Sequence, residues 1–175
     1  MLFVESEYVR VMLGLIGSAE KSIEACCYEW AWYPGQKPGT AQSINRELVN
    51  CPKRGVKVRV LLHNESIGRH LGKVNRKTAH ELEVCGIEVR MGTTAKILHA
   101  KFWAIDGKIG VVCTHNMSTR ATKGNAEVGV VFEGADDVAK LRGYFQSLWE
   151  SQAFEFKPRE KLEKWGAALG GLGHT

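Results

Sequence analysis

Two strand-like runs meet at a turn signal in the second half of the chain and constrain everything around them. ILHAKFWAI (97–105) and KIGVVCTHN (108–116) are rich in β-branched, aromatic and apolar residues, and Asp106-Gly107 stands between them. That dipeptide favours a two-residue hairpin, so the spacing predicts an antiparallel pair. Side chains two apart share a face of a strand, which points His99 and Lys101 the same way and Thr114 and Asn116 the same way on the partner. Where the two faces coincide, an imidazole, an ammonium, a hydroxyl and a carboxamide converge. Such a set suits a tetrahedral phosphate: Lys101 supplies a point charge, Thr114 and Asn116 supply neutral donors, and His99 can attack phosphorus or move a proton near neutral pH. Glu127, eleven positions after Asn116, is a candidate to bond the far imidazole nitrogen and fix its tautomer.

The spacing H-x-K-x4-D at His99, Lys101 and Asp106, with T-x-N at Thr114 and Asn116, resembles the phospholipase D superfamily signature H-x-K-x4-D-x6-G-S-x-N. Glu127 falls where single-motif members place a supporting acid. Cys113 and Thr114 stand where the signature has Gly and Ser; threonine keeps the hydroxyl, whereas cysteine adds a side chain to a bare stretch of backbone. The resemblance implies a two-step phosphodiester transfer in which one histidine becomes a phosphohistidine and a second protonates the leaving oxygen, then activates water. Two motifs are needed per site, and no second H-x-K occurs in the chain. The implied assembly is a homodimer with His99, Lys101 and Asn116 of both copies facing across a two-fold axis. His99 is then nucleophile in one subunit and general acid/base in the other, with Lys101, Asn116 and Thr114 as phosphate binders and Glu127 as orienter. Asp106 is structural, since its turn position aims it away from the His99 face. The resemblance also implies a β-sheet between helical layers, with the motif at the sheet's edge. No carboxylate cluster of the kind that holds Mg²⁺ accompanies the motif, so neither metal nor cofactor is expected.

At 175 residues and 44% hydrophobic content, the chain suits one well-buried domain. The expected division is a catalytic domain over 1–156 and a charged, then Gly-rich, tail over 157–175. No run of 18 apolar residues exists, and the start MLFVESEYVR lacks a basic region ahead of an apolar block, which points to a cytoplasmic protein with no membrane span. Five cysteines without C-x-x-C spacing argue against a disulfide framework or a zinc cluster of that kind.

Basic residues are unevenly placed. Residues 53–101 hold eleven against four acidic ones, a net +7 within a chain of net +5. A basic middle beside the motif fits a polyanionic substrate, DNA or RNA. Arg69, Lys73, Arg76 and Lys77 are the candidates for nucleic-acid backbone contact. Phospholipid is the alternative substrate, for which Trp30, Trp32 and Tyr33 would have to form an apolar entrance. A third reading is a non-catalytic nucleic-acid-binding subunit of a larger complex, with the tail docking a protein partner.

In chain order, apolar periodicity predicts a helix over 6–20 with Ser6 as N-cap, a strand over 22–32, a helix from Thr40 and a strand from Gly55. A helix from Asn75 or Thr78, a short strand from Ile87, the hairpin, a polar loop, a strand from Glu127 and a helix over 135–153 follow. This order gives an α/β (α+β) domain: a mixed β-sheet flanked by helices on both faces.

Overall fold

A computed structural model describes residues 1–35, 40–64, 70–92 and 97–151. Seven strands form one mixed sheet in the order β1-β7-β6-β5-β2-β3-β4. They are β1 (Leu2–Val4), β2 (Ser22–Cys27), β3 (Lys57–Leu62), β4 (Glu88–Met91), β5 (Phe102–Ile105), β6 (Ile109–Cys113) and β7 (Val128–Phe132). β2, β3 and β4 run parallel, as connections through helices require, and every other pairing is antiparallel.

The helices α1 (Glu7–Gly17), α2 (Thr40–Leu48) and α3 (His70–Val84) share one core with the sheet. Tyr8, Met12, Ile16, Ile44, Leu48 and Leu82 pack there against Ile23, Val60, Trp103 and Val111. α5 (Ala135–Glu150) covers the other face, where Phe145, Leu148 and Trp149 close over Cys26, Leu61 and Phe102. The expected layering, helices on both faces of a mixed sheet, is what the chain forms.

α5 covers only part of its face. The cross-strand register runs Cys26, Phe102, Val112, Val130, Leu2, so all five side chains share a side of the sheet. Cys26 and Phe102 lie under α5, whereas Leu2, Val4, Val112, Val128 and Val130 are exposed. Opposite them, on the other side of β1, Phe3 presses on Gly129 so closely that an added Cβ would sit 2.1 Å from its ring.

Several boundaries differ from the sequence expectation. Ser6 makes no side-chain cap bond and is itself helical in backbone angles, whereas Glu7 accepts the Val4 N–H ahead of the helix at 3.0 Å. β2 stops at Cys27, and Trp30 lies outside it, pairing with Met117 in an isolated parallel bridge. Trp30 and Trp32 are buried, the former donating its indole N–H to Asn45 Oδ1 at 2.7 Å. They are core, which removes them as an apolar entrance for lipid. α3 begins at His70, earlier than expected. The polar stretch after Asn116 contains a short helix, α4 (Thr119–Lys123), capped by the Ser118 side chain on the Ala121 N–H.

Candidate active site

The antiparallel hairpin forms, with three residues, Asp106 to Lys108, between the paired Ile105 and Ile109. Asp106 and Gly107 both have positive φ, 54° and 67°, the left-handed pair that a type I′ turn demands. Asp106 also stitches the turn to the start of β2: its carboxylate accepts the N–H of Lys21 at 2.7 Å, and those of Glu20 and Ser22 at 2.9 Å. Its partial burial works against ionisation, but the three N–H donors outweigh it and hold the carboxyl below its usual range. Asp106 lies at the end of β5 remote from His99.

The other motif residues sit just outside the strands that were expected to carry them. β5 starts at Phe102 and β6 ends at Cys113, so His99 and Lys101 precede one strand while Thr114 and Asn116 follow the other. Antiparallel pairing places both sets at the same end of the hairpin. β5 and β6 are interior strands of the sheet, so the motif occupies the rim at the strand ends rather than an edge strand. The carboxyl end of β2 reaches the same rim.

Residues 27–29, at that end of β2, form the floor. Lys101 is 9% exposed and donates to the His99 carbonyl at 2.8 Å, with its Nζ 3.3 Å from Nδ1 and 3.4 Å from Nε2 of the same residue. The ammonium also lies 5.4 Å from the centroid of the Tyr28 ring, within cation–π range. His99 itself is exposed and packs on Tyr28 at 4.9 Å. Asn116 Oδ1 accepts the Glu29 N–H at 3.2 Å and faces Cys27 Sγ at 3.9 Å. This leaves its amide nitrogen as the end of the side chain that can donate to a substrate.

Cys113 lies across from Lys101, donating its backbone N–H to the Lys101 carbonyl at 3.1 Å. Its thiol is buried, donates to the His115 carbonyl at 3.8 Å, and faces Gly129, where a Cβ would come within 2.7 Å of the Cys113 Cβ. A glycine on β7 thus makes room for the cysteine on β6. Burial pushes both Cys113 and Cys27 up to about 12, so both remain neutral thiols near pH 7.

Glu127 departs from its expected contact. It immediately precedes β7, where pairing brings it beside Thr114. The Thr114 hydroxyl donates to Glu127 Oε2 and accepts the Val128 N–H at 3.0 Å, while Asn125 donates to Oε1 at 3.0 Å. Within the protomer these contacts, and not His99, engage the carboxylate, and Thr114 has its hydroxyl committed to it.

Of the four residues expected to touch a nucleic-acid backbone, Arg69 lies outside the described residues. Lys73 and Lys77 are exposed on α3, with Lys77 over the Tyr33 ring at 5.4 Å. Arg76 donates to Asn64 Oδ1 at 3.0 Å. Much of the remaining basic charge is engaged elsewhere: Arg59 with Glu24, Arg54 with Glu47, and Lys57 with Glu88. Among the described residues no group of three or more His, Cys, Asp or Glu could hold a metal ion, and no helix is long and apolar enough to cross a membrane.

Sequence reasoning missed three members of the site: Tyr28, His63 and Asn75. Asn75, buried on α3, donates to both the Tyr28 and His63 carbonyls at 2.8 Å and accepts the Trp30 N–H at 2.8 Å. It ties together the carboxyl ends of β2 and β3, the rim at which open α/β sheets place their ligands. That rule is the signal that would have found Tyr28 and His63.

The family model described as "Cardiolipin synthase, PLD-like domain" matches residues 12–149. Among curated proteins, the mitochondrial cardiolipin hydrolase of Xenopus laevis is 25% identical over 149 residues, covering 83% of this chain and 62% of the relative. The 5'-3' exonuclease PLD3 of Xenopus tropicalis is 26% identical over 148 residues, covering 78% and 29%. The chain thus spans under two thirds of the length of either. Among solved structures, NucT from Helicobacter pylori superposes with a TM-score of 0.70 at 23% identity, covering 88% of this chain and 96% of that one. The family match includes every residue of the motif, and the chain belongs to the phospholipase D-like domain family.

Proposed function

We propose that the chain is a metal-independent phosphodiesterase, an endonuclease on DNA or RNA, that acts through a phosphohistidine at a homodimer interface. The observation that carries the reading is the seating of exposed His99 and buried Lys101 together on Tyr28, with Asn116 anchored to the same end of β2. An unprotonated ring nitrogen of His99 attacks phosphorus, and the equivalent imidazole of a second copy gives its proton to the leaving oxygen as the P–O bond breaks. That imidazole then takes a proton from water, which attacks the phosphohistidine and restores His99. Lys101 and the Asn116 amide hold the non-bridging oxygens.

The exposed apolar half of the sheet supports the dimer. Leu2, Val4, Val112, Val128 and Val130 form a contiguous bare face beside α5, and Thr114 extends it to the rim of the site. A patch of this kind marks an association surface. Orientation of His99 by Glu127 belongs to the same proposal and takes place across the subunit boundary, since within one protomer Thr114 and Asn125 hold the carboxylate.

Incubation with labelled single- and double-stranded DNA and RNA, in chelator and beside a His99→Ala control, tests the reading. Cleavage by the wild type that vanishes in the control is expected. Loss of activity on chelation would count against the metal-independent mechanism. The name of the cardiolipin hydrolase relative favours a second reading, phosphodiester cleavage in a phospholipid, and cardiolipin vesicles form the parallel arm. Binding of nucleic acid without cleavage, unchanged in His99→Ala, would indicate a non-catalytic subunit instead.

A further inference from the structure

His99 stands on a segment with little backbone support. It precedes β5 and is exposed, so no strand ladder fixes its main chain. Immediately before it, Leu98 is anchored twice: its side chain packs with Cys26, Phe102 and Phe145, and its N–H donates to His63 Nδ1 at 3.3 Å. His63 is 4% exposed and directly follows the end of β3. Its own backbone is fixed there, with its N–H on the Cys27 carbonyl at 3.3 Å and its carbonyl on Asn75 at 2.8 Å. The same imidazole stacks on Tyr28, centroids 5.0 Å apart and planes 22° from parallel. His99 lies against Tyr28 as well. The rigid end of β3 therefore reaches His99 by two routes, through the Leu98 backbone and through the Tyr28 ring.

We infer that His63 is a positioning residue for His99, holding the Leu98 N–H and the Tyr28 ring so that the exposed imidazole is presented to substrate. A backbone N–H can only donate, so Nδ1 of His63 is unprotonated and the neutral ring carries its proton on Nε2. Both duties, acceptor at Nδ1 and stacking plane, belong to this one ring. The segment that includes His99 would be free to shift without the acceptor, and misplacement of a reacting group by about 1 Å can cost 10²-fold in rate. The inference rests on the reading of His99 as the reactive group.

Two variants separate the duties. His63→Phe keeps a ring against Tyr28 and removes the acceptor; His63→Asn places a carboxamide oxygen near the position of Nδ1 and removes the ring. The measurements are kcat and KM on a labelled oligonucleotide and hydrogen exchange at the Leu98 amide. His63→Phe is expected to lower kcat by roughly 10- to 100-fold, with KM changed far less and Leu98 exchange accelerated. His63→Asn is expected to recover Leu98 protection and part of kcat, the rest being lost with the ring against Tyr28. Unchanged kcat and exchange in His63→Phe overturn the inference, as does a fall in kcat with Leu98 still protected. Should the wild type cleave no substrate, the nuclease reading fails by itself, and faster Leu98 exchange in His63→Phe with recovery in His63→Asn still supports the positioning contact.

Discussion

The Thr114 hydroxyl donates a hydrogen bond to Glu127, and the same oxygen accepts the N–H of Val128. The hydroxyl of the motif is thus coupled to the motif's acid instead of standing open to substrate. Thr114→Val removes both bonds and leaves the Val128 N–H without its side-chain acceptor. The expected result is a loss of about tenfold in kcat/KM, near the 1.4 kcal/mol of one hydrogen bond. Thr114→Ser should retain nearly full activity, and steady-state kinetics of the two variants beside the wild type checks this.

Asp106 is expected to act on stability, through the N–H bonds of Glu20, Lys21 and Ser22 that its carboxylate accepts. Removing the three N–H bonds to its carboxylate by Asp106→Ala should cost about 2–3 kcal/mol in urea unfolding. Asp106→Asn should cost less, because asparagine tolerates the positive φ that this turn position requires. Its depressed carboxyl pKa means that the contribution is fully present above the ordinary aspartate value of about 3.9 and disappears as pH falls through the lower folded value. The catalytic rate of folded Asp106→Asn should match the wild type.

Glu24 anchors α5 to the middle of the sheet. Its side chain is 4% exposed and bonds Arg59 at 2.5 Å and Arg142 at 3.0 Å, while Arg59 also lies over the Phe145 and Trp149 rings. Glu24→Ala would leave the Arg59 guanidinium without its carboxylate beneath the helix, at an expected cost of about 3–5 kcal/mol. Thermal or urea unfolding measures it. Glu24→Ala with stability within about 0.5 kcal/mol of the wild type would show that the network contributes little.

The sequence made the hairpin legible because Asp106-Gly107 readily adopts the positive φ pair that other dipeptides disfavour and the flanking β-branched runs can bury both faces. The helix over Ala135–Glu150 was legible for a similar local reason, its 3.6-residue apolar period. β1 was not, since a strand of three residues takes its identity from β7, more than a hundred positions away. α4 carried a signal in Ser118, but five residues with only Ala121 apolar offer no apolar stripe to reinforce it. His99, Lys101 and Asn116 were recognisable from spacing alone, whereas Tyr28, His63 and Asn75 reach the site only through the parallel order of β2 and β3. The aromatic run at 28–33 shows the limit: Tyr28 faces the site and Trp30 the core, and composition does not distinguish them.

His115, between Thr114 and Asn116, supplies a pH dependence of stability. Its ring is buried and stacked on Tyr8 at 4.3 Å, with Nε2 3.0 Å from the Glu5 carbonyl and Nδ1 without a hydrogen-bond partner. Because its ring accepts nothing at Nδ1 and the Glu5 carbonyl can only accept, the proton of the neutral ring sits on Nε2. Burial lowers its pKa, more than the Glu5 carbonyl and the charge of Glu127 raise it. The unfolded chain therefore takes up this proton first as pH falls, and the folded state loses stability. Stability should be complete above the ordinary histidine value of about 6.5 and decline below it, until the pH passes the lowered folded value. His115→Phe keeps an aromatic ring against Tyr8 and Phe3 and removes the titration. Urea midpoints from pH 7.5 to 5 should fall more steeply for the wild type than for the variant, and parallel slopes would show that His115 is not the group responsible.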